Sequence, residues 1–295
     1  MSKVSLSLFI LIGACSSNHT SQVSSFTSKN ILQDVRWLSS DALEGRHYRS
    51  QGAKTAAKYI ATKWKDAGLT PLPKKRSMYL PTDDLRDAPN VAAMWKGTGE
   101  SFVLLIAHYD HLRPRKTGDD KIYNGADDNA SGTAALIAIA EALGQLRSPL
   151  FSSIVLLATT GEEAGFVGAK HFIESAPIQV QDIKAVINLD MISRGDPNTI
   201  FLEGSPDAPR ISRAITQANK SVGLTIIRDK HPDWLGRGDQ WPFLQQGVPA
   251  VFLSVEDHED YHKVSDEVDK ILPELAAKTA RLTFLAAREL ACHVP

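Results

Sequence analysis

The chain has 295 residues, 43% of them hydrophobic and 23% charged, an ordinary globular composition with room for one large α/β domain or two small ones. Lys and Arg number 33 against 34 Asp and Glu, and the formal net charge is −1. The cations are spread along the sequence, so the basic footprint of a nucleic-acid binder is missing and no nucleic-acid partner is expected. No required protein partner is evident either.

Residues 1–14 do not read as part of a fold. Lys3 is followed by a short apolar run from Val4 to Ile12 and by small residues just before Cys15. The run is too short to span a bilayer as a helix and has the layout of a secretory signal. The stretch "LIGAC" resembles the bacterial lipobox, which implies lipidation of Cys15 as the first residue of the mature protein. Ser16 rather than Asp follows it, which within that class of signals implies the outer membrane, on the periplasmic side. Residues 15–28 read as a polar tether, and 29–295 as the folded domain.

From Lys29 to Leu69 the spacing of apolar residues predicts helix, through "ILQDVRWLSSDALEGR" and again through "GAKTAAKYIATKWKDAGL". A Pro-rich connection follows. Beyond it the chain alternates. "NVAAMW", "FVLLIA", "SIVLLAT", "AVINL" and "AVFLSV" are strand-length, continuous apolar runs, as expected for strands covered on both faces. Helical patterns occupy Ser131 to Leu146, Phe166 to Glu174, Pro209 to Val222 and about Asp269 to Cys292. The expected fold is a single three-layer α/β domain, a mostly parallel (mixed) central sheet with helices on both faces.

Four of the apolar runs end in candidate ligands. "FVLLIA" leads into His108, Tyr109 and Asp110; "SIVLLATTG" into Glu162 and Glu163; "AVINL" into Asp190; "AVFLSV" into "EDHEDYH". Sites in open α/β sheets lie outside the carboxyl ends of the strands, so these groups converge on one rim. The segment from Ala107 to Gly132 is dense in His and Asp, either as a solvated loop or as part of a metal site. Four polar strand ends favour the metal site. Several carboxylates in one cleft repel unless cations neutralise them, and His with Asp and Glu but no Cys suits zinc or a similar ion. Two bridged ions can activate water and polarise a carbonyl, and "GEEAG" offers one Glu for a metal beside another for a proton.

At this point the motifs resemble the M28 family of di-zinc aminopeptidases. "DALEGR" resembles its N-terminal region, and "AHYDHL", "NGADDNASGTAAL", "TTGEEAGFVGA", "INLDMI" and "DYHKVSD" resemble its active-site blocks in order. The resemblance implies a zinc-exopeptidase-like fold and two zinc ions per chain, with cobalt or manganese as alternatives. One ion would be held by His108, Asp128 and Asp190, the other by Asp128, Glu163 and His262. Glu162 matches the general base, Asp110 the acid that orients His108, and Tyr261 a donor to the developing oxyanion. The implied substrate is a peptide with a free N-terminus.

His111, His258 and Asp127 lie inside these motifs but match no ligand position, so a structural or supporting place is expected for each. The "RGD" at Arg237 to Asp239 is a chance match to an adhesion tripeptide. It overlaps "GDQWPFLQQGVPAVFL", which resembles a further family block in which Gly238 replaces the usual Ser and Gln240 the usual His. That change puts substrate contacts near Gln240 in question. Trp234 and Trp241 could line the cleft or pack in the core. The protease-associated insert of many secreted relatives has no counterpart. Competing functions are a carboxypeptidase, a one-zinc glutaminyl cyclase-like enzyme, or a non-catalytic binding lipoprotein, which would be expected to have lost ligands or base.

Overall fold

The continuous apolar runs become the middle of a sheet because residues on both of its faces are covered. In the strand Phe102–His108 (β3), Val103, Leu105 and Ala107 join one large apolar cluster, while Leu104 and Ile106 join another on the opposite face. The computed structural model describes residues 24–81, 88–175 and 177–292. The signal segment and Cys15 lie outside the described residues.

The other strands are Tyr79–Leu80 (β1), Asn90–Trp95 (β2), Ser153–Thr159 (β4), Ile183–Leu189 (β5), Thr199–Glu203 (β6), Thr225–Arg228 (β7) and Ala250–Ser254 (β8). They form one sheet in the order β1-β2-β4-β3-β5-β8-β6-β7. The central β4, β3, β5 and β8 are parallel, β2 runs antiparallel to β4, and β6 antiparallel to β8. The sheet is therefore mixed and mostly parallel at its centre. Helices Ser28–Leu38 (α1), Gln51–Asp66 (α2), Gly132–Gly144 (α3), Pro209–Asn219 (α5) and Pro273–Cys292 (α7) share the larger cluster. Val167–Ser175 (α4) and Gln240–Gln245 (α6) cover the other face, where Phe172 meets Phe243 at 6.2 Å. This is the expected three-layer architecture.

Three differences from the sequence reading have local causes. The helix expected through "ILQDVRWLSSDALEGR" stops at Leu38. Ser39 and Ser40 turn their hydroxyls back onto the carbonyls of Val35 and Trp37, both at 2.8 Å, and Glu44, Gly45 and Arg46 all take left-handed backbone, with φ of 49°, 74° and 59°. The apolar runs do not mark β1, β6 and β7: β1 and β7 are short strands at the two edges of the sheet, while β6, one place in, is a five-residue strand with Ile200, Phe201 and Leu202 buried. The packed body also begins before residue 29: Ser25 is buried, and Phe26 lies 5.4 Å from the ring of Phe284 on α7.

Order around β3 decides where a site can form. The chain goes from β3 to β4 on one side and returns to β5 on the other, so β3 is the point where the winding reverses. A crevice opens there at the carboxyl ends of the strands.

Candidate metal centre

His108 is the last residue of β3 and is 1% exposed. Its Nε2 lies 3.2 Å from Asp190 Oδ1, just past β5, and 3.4 Å from Asp128 Oδ1. Its Nδ1 is 3.1 Å from the main-chain carbonyl of Asp110, while the Asp110 carboxylate stands 3.7 Å away. That carboxylate instead accepts the backbone N–H of Glu162 at 3.3 Å. Asp110 thus touches His108 through its backbone and the β4 turn through its side chain.

On the other side of Asp128 a second set of donors gathers. Its Oδ2 is 3.2 Å from His262 Nε2, which is also 3.3 Å from Glu163 Oε2. His111 reaches the same pair, with Nδ1 2.7 Å from Glu163 Oε1 and 3.7 Å from Asp128 Oδ2. Its ring is packed under Gly125, whose left-handed φ of 56° and missing side chain leave the room: a Cβ there would sit 2.6 Å from the imidazole. His111, expected to be a supporting residue, instead stands with a ring nitrogen in ligating reach of the second carboxylate pair.

The neighbouring acid turns elsewhere. Asp127 Oδ1 accepts from the Ser193 N–H and hydroxyl at 2.8 and 2.6 Å, and its Oδ2 lies 3.3 Å from His258 Nε2. Asp266 grips the same turn from below, accepting the N–H groups of Asp127 and Asp128, each at 3.0 Å. These contacts aim Asp127 away from the crevice and Asp128 into it.

The charges are arranged for cations. Burial alone would lower the His108 pKa, but the surrounding Asp190, Asp110 and Asp128 carboxylates raise it well above the ordinary imidazole range. Burial would raise Glu163, yet His111 and His262 hold it down at about 2. Glu162 goes the other way, pushed well up chiefly by burial, with the Asp239, Asp190 and Glu163 charges adding to the rise. Burial also lifts Asp239, which accepts a hydrogen bond from the Thr159 hydroxyl at the end of β4, to about 7.

The donors form two overlapping groups, each of which could hold a metal ion. Atoms of His108, Asp128 and Asp190 lie within 4.8 Å of one another, as do those of His111, Asp128 and Glu163. Asp128 belongs to both groups, and its Oδ2 is buried without a hydrogen-bond donor. Imidazole and carboxylate without thiolate is the chemistry of zinc.

A family model for Peptidase family M28 matches residues 90–287. The chain belongs to this family. The M28 chain is 32% identical to the probable lipoprotein aminopeptidase LpqL of Mycobacterium tuberculosis, over 62% of its own length and 42% of that protein's. It spans about half the length of several curated relatives that it matches. In fold it resembles the LapA aminopeptidase of Legionella pneumophila, with a TM-score of 0.76 at 19% identity, over 93% of this chain and 74% of LapA. It also resembles the glutaminyl cyclase of Porphyromonas gingivalis, with a TM-score of 0.71 at 17% identity, over 90% of this chain and 99% of the cyclase. These structural likenesses speak for the fold.

The M28 crevice is walled beyond the candidate ligands by Trp234, Phe252, Tyr261 and Arg237. Tyr261 stacks on the His262 ring at 3.9 Å, and Arg237 pairs with Asp257 at 3.0 Å. Trp234 thus lines the cleft, whereas Trp241 stands at the surface, 37% exposed. Gln240 is fully buried: it accepts from Asn188 at 2.7 Å and donates to the carbonyls of Trp234 and Leu235. Gln240 thus lies behind the crevice wall and does not line the crevice. Arg237 and Asp239 stand out in the sequence only as the ends of the RGD tripeptide, because neither sits in a ligand pattern and Arg237 meets Asp257 20 residues on.

Proposed function

We propose that the chain is a metal-dependent aminopeptidase that removes N-terminal residues from peptides. The observation that carries this reading is Asp128, whose two oxygens face separate imidazole and carboxylate groups at the ends of parallel strands. In this reading His108, Asp128 and Asp190 hold one zinc ion, and Asp128, Glu163 and His262 hold the other. Zinc ions bound there supply Lewis acidity, lowering the pKa of water toward about 7 and polarising the scissile carbonyl.

The rest is the work of this chain's own groups. Glu162, whose proton affinity is raised by burial and by the neighbouring acids, is suited as a carboxylate to take a proton from the attacking water and deliver it to the leaving amine. Asp110 positions it through the Glu162 N–H. Tyr261, stacked on His262, would donate its phenolic proton toward an oxyanion. The acidic rim attracts the free α-ammonium, and Trp234 with Phe252 provides apolar surface for the first side chain.

We further propose that Cys15 is lipidated and anchors the protein at the bacterial envelope, on the periplasmic side of the outer membrane. Mass spectrometry of the mature N-terminal peptide tests this: a diacylated Cys15 supports it, and an unmodified Cys15, or one oxidised onto Cys292, contradicts it.

For the enzyme, bound zinc per chain and release of residues from free and N-acetylated peptides are measured, alongside Glu162→Gln. Two ions, with cleavage that needs the free amine and collapses in the variant, is the expected result. Cleavage from the carboxyl end, or cyclisation of N-terminal Gln without hydrolysis, would replace the aminopeptidase reading.

A further inference from the structure

We propose that Arg46 is the positioning residue of the metal centre, holding the His108 strand end in register with the Asp128 turn. The inference rests on the metal-site reading above, and it assigns a task to a segment that precedes the matched family residues 90–287.

Arg46 is completely buried, yet its hydrogen bonds go to no carboxylate. All four go to main-chain carbonyls. Nε donates to Tyr109 O at 2.8 Å, Nη1 to Leu38 O and Asn124 O at 2.6 Å each, and Nη2 to Gly125 O at 3.0 Å. Tyr109 lies between His108 and Asp110, and Asn124 with Gly125 leads into the turn that carries Asp127 and Asp128. One planar fork therefore joins the end of α1, the end of β3 and the entry to the bridging turn, which are far apart in the chain. A planar guanidinium can satisfy several carbonyls in fixed directions, which an ammonium cannot.

The local backbone is built to deliver it. Glu44, Gly45 and Arg46 are consecutive left-handed residues, a conformation that L side chains adopt rarely. Gly45 lies directly against the same loop: a Cβ there would meet Tyr123 O at 2.6 Å and Leu112 O at 2.8 Å. The tight turn thus lies against both ends of the 112–123 excursion, while the guanidinium bonds the main chain just before and just after it. Arg46 also brings a cation under a crowd of acids. Burial pulls its pKa down to about 10, with Asp128 and Asp110 opposing, so it stays charged at neutral pH.

A purely structural buried Arg would matter for folding and leave the folded protein's metal affinity alone. A positioning Arg changes the affinity of molecules that are folded. The test measures zinc binding to the full chain by competition with a chromophoric chelator, well below the melting temperature of each metal-free protein. Wild type is compared with Arg46→Lys, which keeps the charge and loses the fork. The expected result is a loss of zinc affinity of about 10- to 100-fold in folded Arg46→Lys, the scale of a lost supporting contact around a metal. Folded Arg46→Lys that binds zinc within twofold of wild type overturns the inference while leaving the metal reading intact. If Arg46→Lys does not fold, Gly45→Ala decides, since it retains the guanidinium but displaces the loop: weakened zinc binding supports the inference and unchanged binding overturns it. A wild-type chain that binds no zinc overturns the metal reading, and this inference with it.

Discussion

The two sides of Asp128 are built differently. His108 and Asp190 stand at the ends of central strands and are almost completely buried, at 1% and 7% exposure. His262 sits on the loop after β8 with its side chain 37% exposed, held mainly by the stacked Tyr261 and by the Asp260 network with Arg194, Ser265 and Lys270. Strand ends surrounded by core have few alternative positions, while a loop ligand in partial contact with solvent has more. The strand-borne side should therefore bind its ion tightly and the loop-borne side more weakly. If the chain is the proposed aminopeptidase, the open side is where substrate would enter.

Breaking the shared element is expected to have the largest effect. Asp128→Asn removes a negative charge from both groups, and both ions should be lost together with activity. Elemental analysis of the dialysed variant checks this, and retention of one equivalent of zinc would mean that the sides are independent. Next in size is Glu162→Gln, which should keep both ions while lowering kcat by about 100- to 10,000-fold, the usual range for a lost general acid–base. A loss of zinc in that variant would make Glu162 a ligand. His262→Ala should weaken only one of two zinc equivalents, by a smaller factor than His108→Ala, because His111 remains beside Glu163. Equal losses from the two substitutions would erase the contrast between the sides.

A fourth prediction concerns pH. In the metal-free protein Asp239 is raised from 3.8 to about 7, so between those values the folded form holds a proton that the unfolded form has released. Its contribution to stability is therefore complete at low pH and is lost as pH rises through about 7, with a slope approaching 1.4 kcal/mol per pH unit, roughly, for one proton. Asp239→Asn should flatten that slope in denaturation curves collected across the range. The smallest effect is expected at the outer wall. Arg237→Gln breaks an exposed pair with Asp257, worth at most about 1 kcal/mol, so KM should move less than about fivefold and the melting temperature hardly at all.

The sheet was legible because its central strands are continuous apolar runs, and the candidate ligands stood out because polar residues interrupt those runs at their ends. Asp128 rather than Asp127 could be singled out only through the family resemblance; the physical reason lies in contacts from Ser193, His258 and Asp266, all more than 60 residues away. His111 was visible but lacked a partner in the local pattern, since Glu163 lies 52 residues on. Arg46 was invisible for the same reason, with acceptors up to 79 residues distant. Short strands near the sheet edges, such as Thr225–Arg228, carry too little apolar surface to register. Periodicity reports burial, and it is silent about which distant backbone a buried charge serves.

The most direct test of the bridged centre is anomalous diffraction at the zinc edge from crystals grown with zinc. Two peaks are predicted, both within coordination distance of Asp128, one also reached by His108 and Asp190 and the other by Glu163 and His262. A single peak, or a pair in which Asp128 touches only one ion, would contradict the account.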